Sequence, residues 1–343
     1  MQKIKCHLIV RSKIGHLNQI YAGFIELYKK GIIELTIDKE IVNTKPLVEV
    51  IINDLYRVIY DTYDQGDKYY ENIDNKIIDF YFKRSFDKEN IINKFEKIEP
   101  LGLNYNVYSK RGNIFSEKDK VINLVKILFK RKGANFSIEK FETEPSVSKE
   151  PKICFLTRVW DPYANEVENK NIREERIAIN KFRVECIRAC KKKYGINFIG
   201  GIENSEYARK LCPDCIVNSN LSNRKSFINI LKTCEICIAT SGLHKSMGWK
   251  LGEYVATARA IISERLYYQL PGNFEEKVNY LEFSTVKQLI ECIDSLINNE
   301  ELRYKIMLNN KEYYYNYVRP DKMIMNTLEK VFDGKILRRE GNA

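Results

Sequence analysis

Residues 241–272 constrain the fold of this chain more than any other segment. An apolar run, Ile236–Ala239, precedes a glycine-rich loop, a helical pattern over about 246–258 and a second apolar run, Ala260–Ser263. Strand, loop, helix and strand in this order predict a βαβ unit of a parallel sheet. Its loop places backbone N–H groups at a helix N-terminus, where the helix dipole favours anions. The segment therefore predicts a phosphate site.

The residues from 248 to 263, G-W-K-L-G-E-Y-V-A-T-A-R-A-I-I-S, resemble the donor-binding stretch of GT-B glycosyltransferases of the bacterial group 1 and 4 type. In that family the helix Glu, here Glu253, holds the ribose of a nucleotide-sugar, and the helix N-terminus faces the diphosphate. Many retaining members carry another Glu eight positions earlier, where this chain has Lys245 beside His244. The resemblance leaves open whether the anomeric configuration is retained or inverted.

The same segment also has a plain structural interpretation. Four apolar residues fall at helical spacing and would form the core face of any such helix: Met247, Leu251, Val255 and Ala258. Lys250 and Glu253 are three residues apart and could form a surface ion pair. A generic crossover does not need several glycines together with Trp249 and His244 around one helix start, so we favour phosphate or nucleotide binding.

The pattern of elements predicts two domains in the 343 residues. Strand and helix patterns alternate over residues 1–145, a polar stretch at 142–151 interrupts them, and the alternation restarts over 151–310. This predicts an α/β fold with two facing Rossmann-like domains. The resemblance implies that they form the GT-B architecture, with the donor on the second domain and the acceptor on the first. The resemblance implies that a helical tail, 311–343, returns to the first domain.

Six residues make up the donor site that this interpretation predicts: Arg158, Ser241, Gly242, Lys245, Lys250 and Glu253. Arg158 follows an apolar strand pattern, and a planar guanidinium suits a diphosphate, although a surface Arg is the plain alternative. The Lys that the family usually carries five positions later is replaced by Tyr163. Cations at these positions would stabilise the departing diphosphate, so we expect no metal and no cofactor beyond the nucleotide-sugar substrate.

Three residues are the catalytic candidates: His16, Asp61 and His244. His16 follows Gly15 in the loop after the first strand, where some GT-B enzymes carry a catalytic base, and capping or solvent exposure is the alternative. Asp61 and Asp64 are the first and last residues of the sequence D-T-Y-D at a strand end. They could bind acceptor hydroxyls or simply form a turn. His244 lies in the predicted donor loop itself.

Charge and cysteine content limit the function classes. The net charge of +11 suits an anionic substrate or a membrane surface, but no block is basic enough to predict nucleic-acid binding. The pairs Cys212/Cys215 and Cys234/Cys237 have zinc-ribbon spacing, so a zinc-ribbon nucleic-acid-binding module is one alternative. Strand alternation would point Cys234 and Cys237 to opposite faces, so we predict free thiols instead.

The chain shows no membrane-span or signal-peptide pattern, so we expect a cytoplasmic protein. An apolar stripe with flanking lysines at 121–129 could contact the inner membrane face near a lipid-linked acceptor, or could pack on its own sheet. The expected partners are a nucleotide-sugar, such as a UDP-sugar, and a glycan or lipid-linked acceptor in bacterial surface polysaccharide or glycoconjugate assembly. A sugar-nucleotide epimerase of the same fold is the other alternative.

Overall fold

The computed structural model describes residues 3–41, 45–69, 77–90, 97–112, 114, 136–164, 167, 169–218, 221 and 223–332. The stripe at 121–129 lies outside these residues. The described chain forms two α/β units around a six-stranded and a five-stranded sheet, which confirms the predicted fold class. No helix in these ranges is both long enough and apolar enough to cross a membrane.

The described part of the first unit contains helix α1 and a mixed sheet of strand order β2-β1-β3-β4-β5-β6. Its elements are β1 (Ile4–Val10), α1 (Asn18–Lys29), β2 (Ile33–Lys39), β3 (Leu47–Ile52), β4 (Tyr56–Asp61), β5 (Phe80–Lys83) and β6 (Ile98–Pro100). The predicted alternation of strands and helices is wrong in the middle, because β3 and β4 form a hairpin and β3 runs antiparallel to β1. Asn53 and Asp54 form the turn with φ of 52° and 57°, the positive values that a type I′ hairpin needs.

The second unit contains a fully parallel sheet of strand order β10-β9-β11-β12-β13. After a short parallel pair, β7 (Val107–Tyr108) and β8 (Phe136–Ser137), its strands are β9 (Ile153–Thr157), β10 (Phe198–Ile202), β11 (Ile236–Ala239), β12 (Ala260–Ser263) and β13 (Tyr280–Glu282). Its helices are α2 (Lys170–Tyr194), α3 (Glu206–Leu211), α4 (Arg224–Thr233), α5 (Trp249–Ala256), α6 (Val286–Asn298) and α7 (Glu300–Tyr313). Helices cover both faces, which explains why β9, β11 and β12 are buried along their whole length.

The two units share a hydrophobic core. Leu103 and Tyr105 of the first unit pack in one cluster with Leu251 and Tyr254 of α5. Gly252 lies at the closest approach, since a Cβ added there would come 2.9 Å from the backbone oxygen of Asn104. This glycine, one of the several around the predicted helix start, therefore serves the packing of one unit on the other.

The last described helix, α8 (Pro320–Val331), packs on α1 of the first unit. Met323, Ile324 and Leu328 of this helix belong to the same core cluster as β1 and α1. Gly23 allows the two helices to meet, because a Cβ at this position would lie 2.3 Å from the carbonyl oxygen of Pro320. The chain thus returns to its first sheet after completing the second, while the domain boundaries stay a prediction.

We expect Gly23→Ala to lower the free energy of unfolding by about 1–3 kcal/mol, because the new methyl group forces α8 away from α1. Helix propensity alone would act in the opposite direction by about 1 kcal/mol. Ala178→Gly, the reverse change at an exposed position of α2, measures that propensity difference. Urea unfolding of both variants checks the sign, and a stabilised Gly23→Ala protein would contradict the close helix contact.

The two cysteine pairs do not converge. Cys212 and Cys215 lie in one core cluster, and Cys234 and Cys237 lie in another. The argument from strand alternation was wrong, because Cys234 precedes β11 as the C-cap of α4 and shares a cluster with Cys237. Within the described ranges no group of three His, Cys, Asp or Glu side chains could hold a metal ion. The geometry gives the zinc-ribbon alternative no support.

Candidate functional site

The strand order of the second sheet creates a crevice at one point. The chain passes from β9 to β10 on one side and later adds β11 and β12 on the other side of β9. Open α/β sheets bind ligands at such a switch point, outside the carboxyl ends of the strands. Arg158 directly follows β9, and Ser241 and Gly242 follow β11. Three of the predicted donor residues therefore lie at the position that the topology favours.

Arg183 of α2 connects the two strand ends, and it is 5% exposed. Its guanidinium donates to Thr240 Oγ1 at 2.9 Å, to the carbonyl of Arg158 at 2.7 Å and to the carbonyl of Ser241 at 2.9 Å. It also lies over the Trp160 ring, 4.5 Å from the ring centroid. Burial lowers the pKa of Arg183 to about 10, with a further lowering from Arg158, so this cation remains charged at neutral pH. Sequence reasoning missed this mid-helix residue.

The loop after β11 does not offer the free amides that the sequence predicted. The N–H of Ser241 donates to the Glu264 carboxylate at 2.8 Å, and that of His244 donates to the Glu175 carboxylate at 2.7 Å. The N–H of Gly242 donates to a backbone carbonyl within the loop at 2.8 Å. Carboxylates of the chain therefore already occupy two of the amides that we had assigned to phosphate.

The start of α5 remains open to an anion. The helix begins at Trp249, three residues later than predicted, and its N-cap Gly248 supplies no side-chain hydrogen bond. A Cβ added to Gly248 would meet nothing within 4 Å. The first N–H groups of a helix lack partners inside the helix and attract negative charge. A ligand can therefore approach this end of α5 closely.

Lys250 and Glu253 occupy the first two turns of α5. The pKa of Lys250 is lowered to about 8, mainly by burial. The charge of Glu253 opposes this shift, and the charges of Arg183 and Arg158 add to it. Glu253 is 1% exposed and forms an ion pair with Arg224 of α4 rather than with Lys250. Its Oε1 is the oxygen that contacts the Arg224 guanidinium. Glu253 is thus no surface residue, and a cation of α4 already holds its carboxylate.

His16 faces this cationic region from the first unit. Its ring centroid lies 4.7 Å from that of Trp249, and the side chain is half-buried. Burial lowers the pKa of His16, and the charges of Arg84 and Arg158 lower it further, while Asp64 acts in the opposite direction. The imidazole is therefore neutral at pH 7 and can accept a proton.

Arg84 follows β5 and reaches into the second unit. Its guanidinium, which is buried, donates to Asp64 Oδ1 at 2.6 Å and to the carbonyl of Met247 just ahead of α5. Asp64 itself keeps 47% of its side chain exposed. The sequence analysis assigned Arg84 no role. The structure shows that it joins the two units beside His16.

The structure corrects the role of Asp61. Its side chain is fully buried, and its oxygens accept hydrogen bonds from Tyr81 Oη at 2.6 Å, Lys83 Nζ at 2.9 Å and the N–H of Tyr63 at 2.7 Å. No surface of Asp61 is left for an acceptor hydroxyl. Of the two aspartates in D-T-Y-D, the exposed Asp64 is the one that a substrate can reach.

Lys245 and His244 form a strained turn at the contact between the units, with φ of 56° and 59°. The Nε2 atom of His244 lies 3.1 Å from Gln65 Nε2 of the first unit. The backbone carbonyl of His244 accepts a hydrogen bond from the Tyr268 hydroxyl. Lys245 is exposed, with its Nζ 4.8 Å from the centroid of the Tyr267 ring. Arg158 lies close enough to His16 and to Lys250 for its charge to lower the pKa of both. His244 instead contacts the first unit, and Lys245 is exposed.

No protein-family model and no curated protein matches this sequence. Among solved structures, it is similar to the C-terminal domain of a glycosyl transferase group 1 family protein (LpcC) from Francisella tularensis, with 15% identity and a TM-score of 0.36. That match covers 52% of this chain and 96% of the other. Anabaena Alr3699/HepE in complex with UDP is 11% identical over 62% of either chain, with a TM-score of 0.37.

A third similar structure is a putative UDP-N-acetylglucosamine 2-epimerase from Listeria monocytogenes, with 13% identity and a TM-score of 0.38. The match covers 75% of this chain and 60% of that protein. The chain therefore spans less than two thirds of the length of HepE and of the epimerase. These similarities are too distant to locate a site, and the cleft is defined by the geometry of this chain.

Proposed function

We propose that this protein is a glycosyltransferase that moves a sugar from a nucleotide diphosphate to a hydroxyl. The observation that carries the proposal is the meeting of Arg158, Lys250 and the uncapped start of α5 at the switch point of the second sheet. Two cations and a helix N-terminus match the charge of a diphosphate. In this proposal Glu253, on the second turn of α5, accepts hydrogen bonds from an adjacent ribose while Arg224 holds its carboxylate.

The chemistry that this arrangement supports is electrostatic stabilisation of the departing diphosphate. Arg158 and Lys250 offset the charge that develops on it, and the buried Arg183 keeps the two strand ends in place. His16 accepts the proton of the acceptor from the opposite side of the cleft. Contact between the two units excludes water from the reacting groups. The side chains supply enough positive charge for the leaving group without a metal.

We further propose that the acceptor lies against the first unit, beside His16 and Asp64, because the donor occupies the second. The acceptor would be a glycan or lipid-linked hydroxyl in bacterial surface polysaccharide or glycoconjugate assembly, as the resemblance of residues 248–263 implies. The net charge of +11 suits work beside an anionic membrane face.

A panel of nucleotide-sugars tests the donor proposal. We expect one UDP, GDP, TDP or ADP sugar to stabilise the protein by roughly 2.7 kcal/mol at about 100 times its dissociation constant. Arg158→Met should lose most of this stabilisation, and the matching nucleoside without phosphate should give none. Thermal unfolding with each compound provides the measurement. If every compound leaves the melting temperature unchanged, the protein does not use a nucleotide-sugar donor.

A further inference from the structure

The carboxylate of Glu253 is in contact with a cation of the chain. The guanidinium of Arg224, the first residue of α4, contacts Oε1 of Glu253. The Glu253 side chain is 1% exposed, and that of Arg224 is 18% exposed. Burial disfavours a charged carboxylate, and a cation in contact with it offsets this cost. The carboxylate that the donor proposal needs at Glu253 therefore depends on Arg224.

Residues of the first unit hold Arg224 in turn. Nη2 of Arg224 donates to the carbonyl of Asn106, in the loop after β6, at 3.3 Å. The Asn106 side chain accepts a hydrogen bond from Asn18, at the start of α1, at 2.8 Å. Cζ of Arg224 also lies 5.4 Å from the centroid of the Phe141 ring, which follows β8. The cation beside Glu253 is therefore fixed at the junction of the two units.

We propose that Arg224 is a positioning residue for the nucleotide of the donor. It keeps the Glu253 carboxylate charged and in one orientation on the second turn of α5, where the carboxylate accepts from the ribose. The hydrogen bond to the Asn106 carbonyl keeps Arg224 itself in place. This inference rests on the proposed transferase function, and it adds that nucleotide binding by the second unit depends on a contact with the first.

Two other titratable groups, both on α5, interact with the Glu253 charge. The pKa of Lys250 is lowered to about 8, mainly by burial, and the charge of Glu253 opposes this shift. The pKa of Tyr254 is raised well above its usual value, mainly by burial, and the charge of Glu253 adds to this shift. Below pH 7, Lys250 stays charged and Tyr254 stays neutral. A change in nucleotide affinity that appears between about pH 5 and pH 7 only in Arg224 variants therefore reports the Glu253 carboxylate.

Calorimetric titration tests the inference with UDP, or with the diphosphate of the best sugar in the panel. Arg224→Met removes the cation, Arg224→Lys keeps one, and Lys225→Met removes the neighbouring exposed cation of α4 as the control. At pH 7 we expect Arg224→Met to bind about 10- to 100-fold more weakly than the wild type, the range typical of residues that orient metal-binding side chains. Arg224→Lys should recover most of the affinity, and Lys225→Met should bind like the wild type.

The pH dependence of binding separates positioning from a merely structural role. As the pH falls from 7 to about 5, the Glu253 carboxylate of Arg224→Met, buried without its cation, takes up a proton and accepts hydrogen bonds less well. The ratio of wild-type to Arg224→Met affinity should therefore grow toward acidic pH. Groups that titrate equally in both proteins cancel in this ratio. A constant ratio, or an Arg224→Lys protein that binds no better than Arg224→Met, would overturn the proposal.

Unfolding in urea tests the ion pair without any nucleotide. Arg224→Met should be less stable than Lys225→Met, because it leaves the Glu253 carboxylate buried without its cation. Adding Glu253→Gln to Arg224→Met should restore part of the stability. Equal stability of Arg224→Met and Lys225→Met would disprove the pairing. A wild type that binds no nucleotide of the panel would overturn the donor proposal and this inference together, whereas wild-type affinity in Arg224→Met would overturn this inference alone.

Discussion

Lys83→Met should lower the free energy of unfolding by about 3–5 kcal/mol, the largest stability loss that we expect from one substitution. Lys83 and Asp61 form an ion pair with both side chains fully buried, at a distance of 2.9 Å. Methionine removes the cation and leaves the Asp61 carboxylate buried without it. Burial disfavours the charged form of this carboxylate, because it raises the pKa of Asp61. Equilibrium unfolding in urea, followed by circular dichroism, measures the loss.

The double variant Asp61→Asn with Lys83→Met provides the control. Asparagine keeps an oxygen at the Oδ1 position, which can accept from the N–H of Tyr63. Its amide group takes the place of Oδ2 and can donate to the Tyr81 hydroxyl, and the uncompensated charge is removed. We expect the double variant to be more stable than Lys83→Met alone, because the two changes are coupled through one contact. A double variant that is no more stable than Lys83→Met, or that loses the sum of the two single losses, would show that the pair is not electrostatically coupled.

His16→Ala should reduce the rate of sugar transfer by about 10²- to 10⁴-fold, the usual contribution of a general base. Burial and the charges of Arg84 and Arg158 lower the pKa of His16, which favours its neutral, proton-accepting form. The wild-type rate should therefore fall at acidic pH, as His16 becomes protonated. Release of UDP from UDP-glucose across a pH series measures both effects.

His7→Ala is the matched control. His7 lies on the face of β1 that points away from the core, where its Nε2 is 2.8 Å from a carboxylate oxygen of the exposed Asp38. This variant should transfer sugar at the wild-type rate. If His16→Ala loses rate no more than His7→Ala does, another residue is the base. Asp64, with its half-exposed carboxylate, would then be the next candidate.

Local patterns in the sequence were sufficient to predict the elements of the donor unit. The apolar runs that became β9, β11 and β12 were predicted to within one residue, because strands buried on both faces are continuous apolar segments. Arg158 and Ser241 were then placed at strand ends by chain order alone. The hairpin of β3 and β4 also had a local signal in Asn53-Asp54, which the sequence analysis did not use.

Contacts between distant parts of the chain were not predictable in the same way. Asp61 looked like a ligand at a strand end, but it lies directly across from Lys83 because β4 pairs with β5. The loop amides looked free, but Glu175 lies 69 positions away from His244 in the sequence and still reaches its N–H. Arg84 and Arg224 gained their roles only where the two units meet. These contacts depend on the tertiary fold, which periodicity does not reveal.

The measurement that tests the central claim most directly is calorimetric titration of UDP, or the best nucleotide of the panel, into the wild type and Glu253→Gln. Glu206→Gln, a change of an exposed carboxylate on α3, is the control. Hydrogen bonds to a charged group contribute about 1.5–3 kcal/mol, so Glu253→Gln should bind about 10- to 150-fold more weakly while remaining folded. Glu206→Gln should bind like the wild type. Equal affinity in all three proteins, or no binding by the wild type, would contradict a nucleotide site at α5.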